Sequence, residues 1–383
     1  MSAEAIDPPN PKGGWSQSVR EYERARVLAP QELDRRFPYT GVFDSEGALL
    51  PMAATWRRDQ LITYAPNLPV EAEAQLAGKW LWGGVLYHHF GHFQMQSIAR
   101  LWAVRKYRDE IEGIVFVTRG QAELLPFAKD YLRLLIGDVP VRVVSAVTDI
   151  EALVVPGQGF GLGKIASGTR VFRRYVAAEF ARDVAAEGPR DLFISRSLQP
   201  VDKGGFLGEE LLDARMEEAG YTVFWPEEHG LEEQIARYKA ARRVVALDGS
   251  ALHLFAMVAR AEQKAAVILR RERVASRSLR RHMAAFMGAK PLTINALSEG
   301  AEVSLGKKRA ISALDFEMIG RLLKRHGFIK RGVAWGPLTV AELDLISAGE
   351  SAYKHALMCA YRAQTLETGS RPDHLCFGSR WLR

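Results

Sequence analysis

The sequence predicts an α/β protein made of two successive sets of alternating strands and helices. Between residues 191 and 257, short apolar runs (Asp191–Arg196, Tyr221–Trp225, Arg243–Leu247) alternate with helical stretches (Glu209–Gly220, Leu231–Ala241, Ala251–Ala259). A second alternation runs from residue 81 to residue 155. The chain has 383 residues, 48% of them hydrophobic and 25% charged, which is a globular profile with room for two domains. Strands and helices at this spacing imply parallel sheets. In such sheets ligands collect at the carboxyl ends of the strands. In the later set those ends carry Ser195, Arg196, Pro226, Glu227, Asp248, Gly249, Ser250 and His253.

Each element has a local reason. Residues 1–15 hold five Pro and Gly and read as a loose arm. Gln17–Phe37 is rich in charge and is expected to be partly helical. Phe43–Pro66 alternates apolar and polar residues between turn signals, a small β-rich entry. A strand ends near Tyr87 and is followed by the polar aromatic turn His88–His92, with a helix expected from Phe93 to Tyr107. Ile114–Val117, Val141–Val144 and Glu151–Val155 read as strands, and Glu123–Ile136 as a helix. The glycine-rich stretch Pro156–Gly168 is not a phosphate loop. Gly157 stands one residue too far from Gly163–Lys164, and Ile165 follows where Ser or Thr is needed. It reads as a hinge or surface loop, leading into a long helix over Val171–Ala186 that ends at Gly188–Pro189.

Gly220 closes the helix before it, and Pro226 stops the strand before it. Beyond the later set, Ala265–Leu269 and Pro291–Asn295 read as strands. Asp315–Arg325, Thr339–Leu345 and Ala352–Leu366 read as helices. The domain division is 1–80 (arm and entry), 81–188 (first α/β domain), 189–300 (second α/β domain) and 301–383 (a C-terminal helical region).

Composition excludes several classes. No segment approaches 18 consecutive apolar residues, and the N-terminus lacks a basic region followed by an apolar core, so neither a spanning helix nor a secretory signal is expected. Cys359 and Cys376 are the only cysteines, which fits a reducing cytoplasm. CxxC and HExxH patterns are absent. His88, His89 and His92 lack a spaced carboxylate partner, so no metal site is expected. A net charge of +7 suits an anionic ligand or an anionic membrane surface and is too diffuse for nucleic acid. Arg270–Arg281 holds six arginines, with Arg273, Arg277 and Arg280/Arg281 on one helical face. That face is either solvated or an acceptor for an anion or lipid head group.

Five segments in order resemble glycosyltransferase family 61, a group that includes capsule-type polysaccharide transferases. They are His88–Arg100 (HHFGHFQMQSIAR), Phe193–Arg196 (FISR), Gly208–Leu212 (GEELL), Pro226–Glu227 with Glu233–Gln234, and Asp248–Leu254 (DGSALHL). The resemblance covers about residues 80 to 260. The chain departs from the family pattern in three places. The Asn ahead of the His–aromatic pair is absent, Asp248 replaces a His before Gly–Ser, and His253–Leu254 stands where an Asn is usual.

The resemblance implies a GT-B-like fold of two Rossmann-like domains with parallel sheets facing a cleft, an acceptor domain at 81–188 and a nucleotide-sugar domain at 189–300. It implies a glycosyltransferase that moves a sugar from a nucleotide-sugar to a polysaccharide or glycolipid acceptor, inverting, with no cofactor and no tightly held metal. Cytoplasmic placement with peripheral contact at the inner membrane face would follow.

Its site would draw on named residues. Arg196 would neutralise the leaving diphosphate, because a guanidinium is a fixed fork suited to phosphate; a salt bridge is the alternative. Ser195 lies beside it. Gly249 and Ser250 precede a helix whose start attracts anions, Ser250 also being a plausible N-cap. Asp248 would accept from a ribose or sugar hydroxyl. His253 would donate to phosphate or simply pack. Glu227 would hold ribose hydroxyls, and Gln234 would contact the donor or brace its helix. His92 would be the base that deprotonates the acceptor hydroxyl, with His88 and His89 as substitutes. The alternatives are a non-catalytic nucleotide- or glycan-binding member of a polysaccharide system, and a different α/β phosphate-ester enzyme, for which the sequence offers no carboxylate cluster.

Overall fold

The computed structural model describes residues 7–31, 39–63, 71–118, 123–199, 205–206, 208–270, 274, 276–304, 310–330, 332–333 and 335–342. Cys359, Cys376, Arg271, Arg273 and the helix expected at Ala352–Leu366 lie outside them. The chain is mixed α/β and divides into two compact units. The first holds residues 1–184 with Ala256–Val258 and Arg281–Gly288; the second holds the rest. No described helix is long and apolar enough to cross a membrane.

The first unit is built on a six-stranded sheet. Its strands are β1 (Val19–Gln31), β2 (Tyr39–Phe43), β5 (Ala74–Leu86), β6 (Gly113–Thr118), β7 (Val141–Val144) and β8 (Thr148–Pro156), in the order β2-β1-β8-β5-β6-β7. A two-residue hairpin, β3 (Trp56–Arg57) with β4 (Gln60–Leu61), stands apart. Strands β8, β5, β6 and β7 run parallel, whereas β1 and β2 add antiparallel neighbours. The parallel strands thus follow the order 4-1-2-3. The switch point, where the order reverses, lies between the ends of β5 and β8. Strand β6 (GIVFVT) is buried at every position, as a central parallel strand must be.

Where the stretch 17–37 was expected to be partly helical, residues 19–31 form strand β1, and residues 32–37 lie outside the described ones. The Arg and Glu residues of β1 are good helix formers, but Ala25, Val27 and Ala29 turn inward on alternate positions into the core with Trp80, Val115 and Val155. Pairing on both sides, to β2 and β8, overrides propensity.

The helix expected over 93–107 is broken. A turn of helix α1 (Phe90–His92) passes into a π turn over Phe93–Ser97, then a 3-10 turn over Leu101–Ala103 and α2 (Val104–Tyr107). Tertiary bonds take over from the helical ladder. The Ser97 hydroxyl accepts from Tyr87 N–H at 2.9 Å, and the Ala99 carbonyl accepts from Gly159 N–H at 2.9 Å. Arg100 is buried and donates to the carbonyls of Met52, Ala54 and Pro156.

Helix α3 (Pro126–Ile136) starts at its proline and stops at Gly137; α4 (Arg170–Glu179) is capped by Thr169, whose hydroxyl accepts from Phe172 N–H. α4 is shorter than the predicted Val171–Ala186. The glycine-rich stretch is no surface loop: Gly157–Gly161 is buried. At Gly157 a Cβ would stand 1.8 Å from the Trp15 carbonyl oxygen, so no other residue fits.

The second unit has a five-stranded, wholly parallel sheet of β9 (Asp191–Ile194), β11 (Thr222–Phe224), β12 (Arg243–Leu247), β13 (Lys264–Ile268) and β14 (Leu292–Ile294). A second sheet has β10 (Gly205–Phe206) parallel to β16 (Ala310–Leu314), which pairs antiparallel with β15 (Leu297–Ser304). The region from residue 301, expected to be helical, therefore opens with strand. Its helices are α5 (Glu209–Glu218), α6 (Leu231–Ala240) and α9 (Phe316–Arg325), while α7 (Ala251–Val258) and α8 (Arg277–Met287) start in this unit and have their last residues, from Ala256 and Arg281, assigned to the first. The parallel order β11-β9-β12-β13-β14 is the 2-1-3-4-5 order of doubly wound sheets, with its switch point between β9 and β12.

Candidate functional site

The switch point of the second unit is where Arg196 and Gly249 meet. Arg196 follows β9 and Gly249 follows β12. A Cβ on Gly249 would stand 3.0 Å from Arg196 Nη1, so the absence of a side chain lets the guanidinium lie on the backbone of this turn. The turn leads directly into α7, with Ser250 at the N-cap. The Ser250 side chain makes no capping bond to α7, and the N–H groups of Leu252 and His253 donate to the carbonyls of Gly249 and Ser250. A guanidinium beside a helix start is a combination suited to an anion. His253 sits half-buried in the first turn of α7.

The residues around this turn divide into those facing outward and those locking it. Asp248 is fully buried, and Arg270 Nε lies 3.1 Å from its Oδ1 and donates to its carbonyl at 2.9 Å. The Ser276 hydroxyl donates to Oδ2 of the same carboxylate. Asp248 thus anchors the turn internally. The Ser195 hydroxyl is likewise turned inward, donating to Asp213 Oδ1 at 2.7 Å, while Ser197 donates to Oδ2 at 2.6 Å and receives Trp225 Nε1–H at 2.8 Å. Gln234 is buried and its amide donates to the carbonyls of Pro226 (2.7 Å) and His229 (2.9 Å). It braces the turn that carries Glu227 at the end of β11, where Glu227 is exposed.

Glu209, the first residue of α5, was not legible as a site residue. Its Oε1 is buried without a hydrogen-bond partner among the described residues. Burial pushes the carboxyl up to about 7, against the pull of Arg196 and Arg270. The motif GEELL marked the segment but not the role.

In the first unit, Tyr87 to His92 lie at the end of β5, beside that sheet's own switch point. His92 is half-buried, with Nδ1 3.0 Å from Gln96 Oε1. Arg57 Nε donates to the same oxygen at 3.3 Å and its guanidinium lies 5.3 Å from the Tyr87 ring centre. Burial, then the charges of Arg57 and His89, lower the imidazole to about 4, so His92 is neutral at pH 7. His89 packs on His92 at 5.2 Å between ring centres, and His88 lies 3.4 Å from Thr118 Oγ1. Arg57 and Gln96 were missed by sequence reading. Only the i, i+4 spacing of His92 and Gln96 hinted at their contact.

Residues 90–268 match the model of the family described as Glycosyltransferase 61. The match supports a glycosyltransferase, whose chemistry implies a sugar donor and a glycan acceptor. It runs from α1 to the last residue of β13, so it includes His92, Arg196, Glu209, Glu227 and the Asp248–His253 turn but not Arg57 or Arg270. No curated protein matches the chain.

Proposed function

We propose that the protein transfers a sugar from a nucleotide-sugar donor to a polysaccharide or glycolipid acceptor, as an inverting GT-B enzyme of the cytoplasm with peripheral contact at the inner membrane face. The observation that carries this is Arg196 lying on Gly249 at the start of α7, at the switch point of the second sheet. In this reading the donor diphosphate rests on Arg196 and the first turn of α7, with His253 beside it and Glu227 toward the ribose. These groups meet the charge of the leaving diphosphate in place of a tightly held metal. The acceptor hydroxyl gives its proton to Nε2 of His92 as its oxygen bonds to the anomeric carbon. The bond from that carbon to the diphosphate oxygen breaks on the opposite face, which inverts the centre.

A second reading is a non-catalytic nucleotide- or glycan-binding member. It is favoured by Asp248, whose carboxylate is held by Arg270 and Ser276 where the resembling family carries a His. The test is release of nucleoside diphosphate from a panel of nucleotide-sugars incubated with the protein and mixed glycan acceptors. Turnover that falls at least a hundredfold in both Arg196→Ala and His92→Asn, within the range that positioned acid–base groups contribute, supports the transferase. Binding without turnover supports the second reading.

A further inference from the structure

We propose that Gln96 is the positioning residue of His92, fixing its proton on Nδ1 and leaving the Nε2 lone pair for the acceptor. This rests on the reading of His92 as the base. Groups that can only donate decide which way the Gln96 amide is turned. Arg57 Nε carries a proton and has no acceptor capacity, so the Gln96 atom 3.3 Å from it must be the carbonyl oxygen. The other end of the amide, Nε2, then faces the Tyr87 hydroxyl at 3.5 Å, which can accept. With its oxygen turned to His92, Gln96 presents an acceptor 3.0 Å from Nδ1. Two acceptors cannot share that contact, so Nδ1 carries the proton. Neutral imidazole has one N–H, and Nε2 is therefore bare.

The charged and titratable neighbours make the arrangement consistent. Arg57 from β3 and His89 from the same turn both oppose an imidazolium, and Tyr87 at the end of β5 adds its ring at 5.7 Å. His92 thus stays neutral at pH 7. A glutamine holds the tautomer without the charge by which a carboxylate would raise the imidazole's basicity. All four residues, Arg57, Tyr87, His92 and Gln96, belong to the first unit.

The test is nitrogen–proton correlation spectroscopy of the full chain labelled with nitrogen-15 histidine, the His92 signals being identified by their loss in His92→Asn. The expected wild-type result at pH 7 is a protonated Nδ1 and a bare Nε2, with no imidazolium until well below pH 6. Gln96→Met, close in size but without an acceptor, is expected to lose the Nδ1–H preference. Its kcat falls about tenfold with KM little changed. Gln96→Glu keeps the acceptor, so it keeps Nδ1–H and moves the imidazolium form to higher pH.

An Nε2–H tautomer in the wild type overturns the proposal. So does Nδ1–H that survives in folded Gln96→Met, or its loss in folded Gln96→Glu. The spectra need neither donor nor acceptor. Failure of the base reading shows separately, as turnover retained by His92→Asn, and failure of the transferase reading as no turnover by the wild type.

Discussion

Both units place their candidate residues at the switch point of a parallel sheet, but they furnish it differently. At the end of β5 the first unit gathers Tyr87, His88, His89, His92 and Gln96, with His92 held neutral by burial and by Arg57. Its buried guanidinium, Arg100, binds three backbone carbonyls. In the second unit Arg196, Arg270, Asp248 and Glu209 surround one turn, and a buried guanidinium, that of Arg270, is set against a carboxylate. In the proposed reading one end keeps a lone pair available and the other receives an anion. A parallel sheet supplies the location; the side chains of its first loop residues decide the chemistry.

Removing the locks should separate the two ends most strongly. Asp248→Ala leaves Arg270 buried without its carboxylate and is expected to cost about 3–5 kcal/mol of unfolding free energy, read by denaturant titration. A loss under 1 kcal/mol would mean the turn is not anchored by this pair. Arg100→Met leaves carbonyls of Met52, Ala54 and Pro156 without a donor and is expected to cost about 2–4 kcal/mol, without changing nucleotide affinity. A parallel loss of affinity would erase the distinction between the units.

The titrations should run in opposite directions. The carboxyl of Glu209 is raised from 4.5 to about 7 by folding, so the folded state binds the extra proton. Its contribution is full below pH 4.5 and is lost as pH rises toward 7. Glu209→Gln is therefore expected to be more stable than wild type by about 1–3 kcal/mol at pH 8 and nearly equal at pH 4.5. His92 is lowered from 6.5 to about 4, so its contribution is present above pH 6.5 and is lost as pH falls toward 4. Comparing unfolding midpoints of wild type, Glu209→Gln and His92→Asn across pH 4 to 8 checks both signs. The smallest change concerns space alone. Gly249→Ala is expected to displace the Arg196 guanidinium and weaken nucleotide binding about tenfold, or about 1.4 kcal/mol, with the melting temperature nearly unchanged.

The second unit was the more legible. Its central strands β9, β12 and β13 are short apolar runs buried beyond their first residue, and Gly220 and Pro226 punctuate the chain, so periodicity places Arg196, Glu227 and Gly249 at strand ends without tertiary information. β1 misled because its outward positions are Arg and Glu and only Ala25, Val27 and Ala29 report the period of two. The broken segment from Phe90 to Tyr107 misled because bonds from Arg100 and Gly159, not local sequence, shape it. The inward commitments of Asp248 and Ser195 were hidden for the same reason. Arg270 stands 22 residues beyond Asp248, and Asp213 stands 18 beyond Ser195. A sequence shows which groups reach a strand end but not which of them the interior claims.

The most direct test of the central claim is calorimetric titration of the protein with UDP, GDP and CMP, repeated on Arg196→Ala. Saturable binding of one nucleotide is expected, weakened at least tenfold by the substitution, about 1.4 kcal/mol or more. Binding that Arg196→Ala leaves unchanged, or no binding of any of the three to folded protein, would contradict an anion receptor at the Arg196–Gly249 turn.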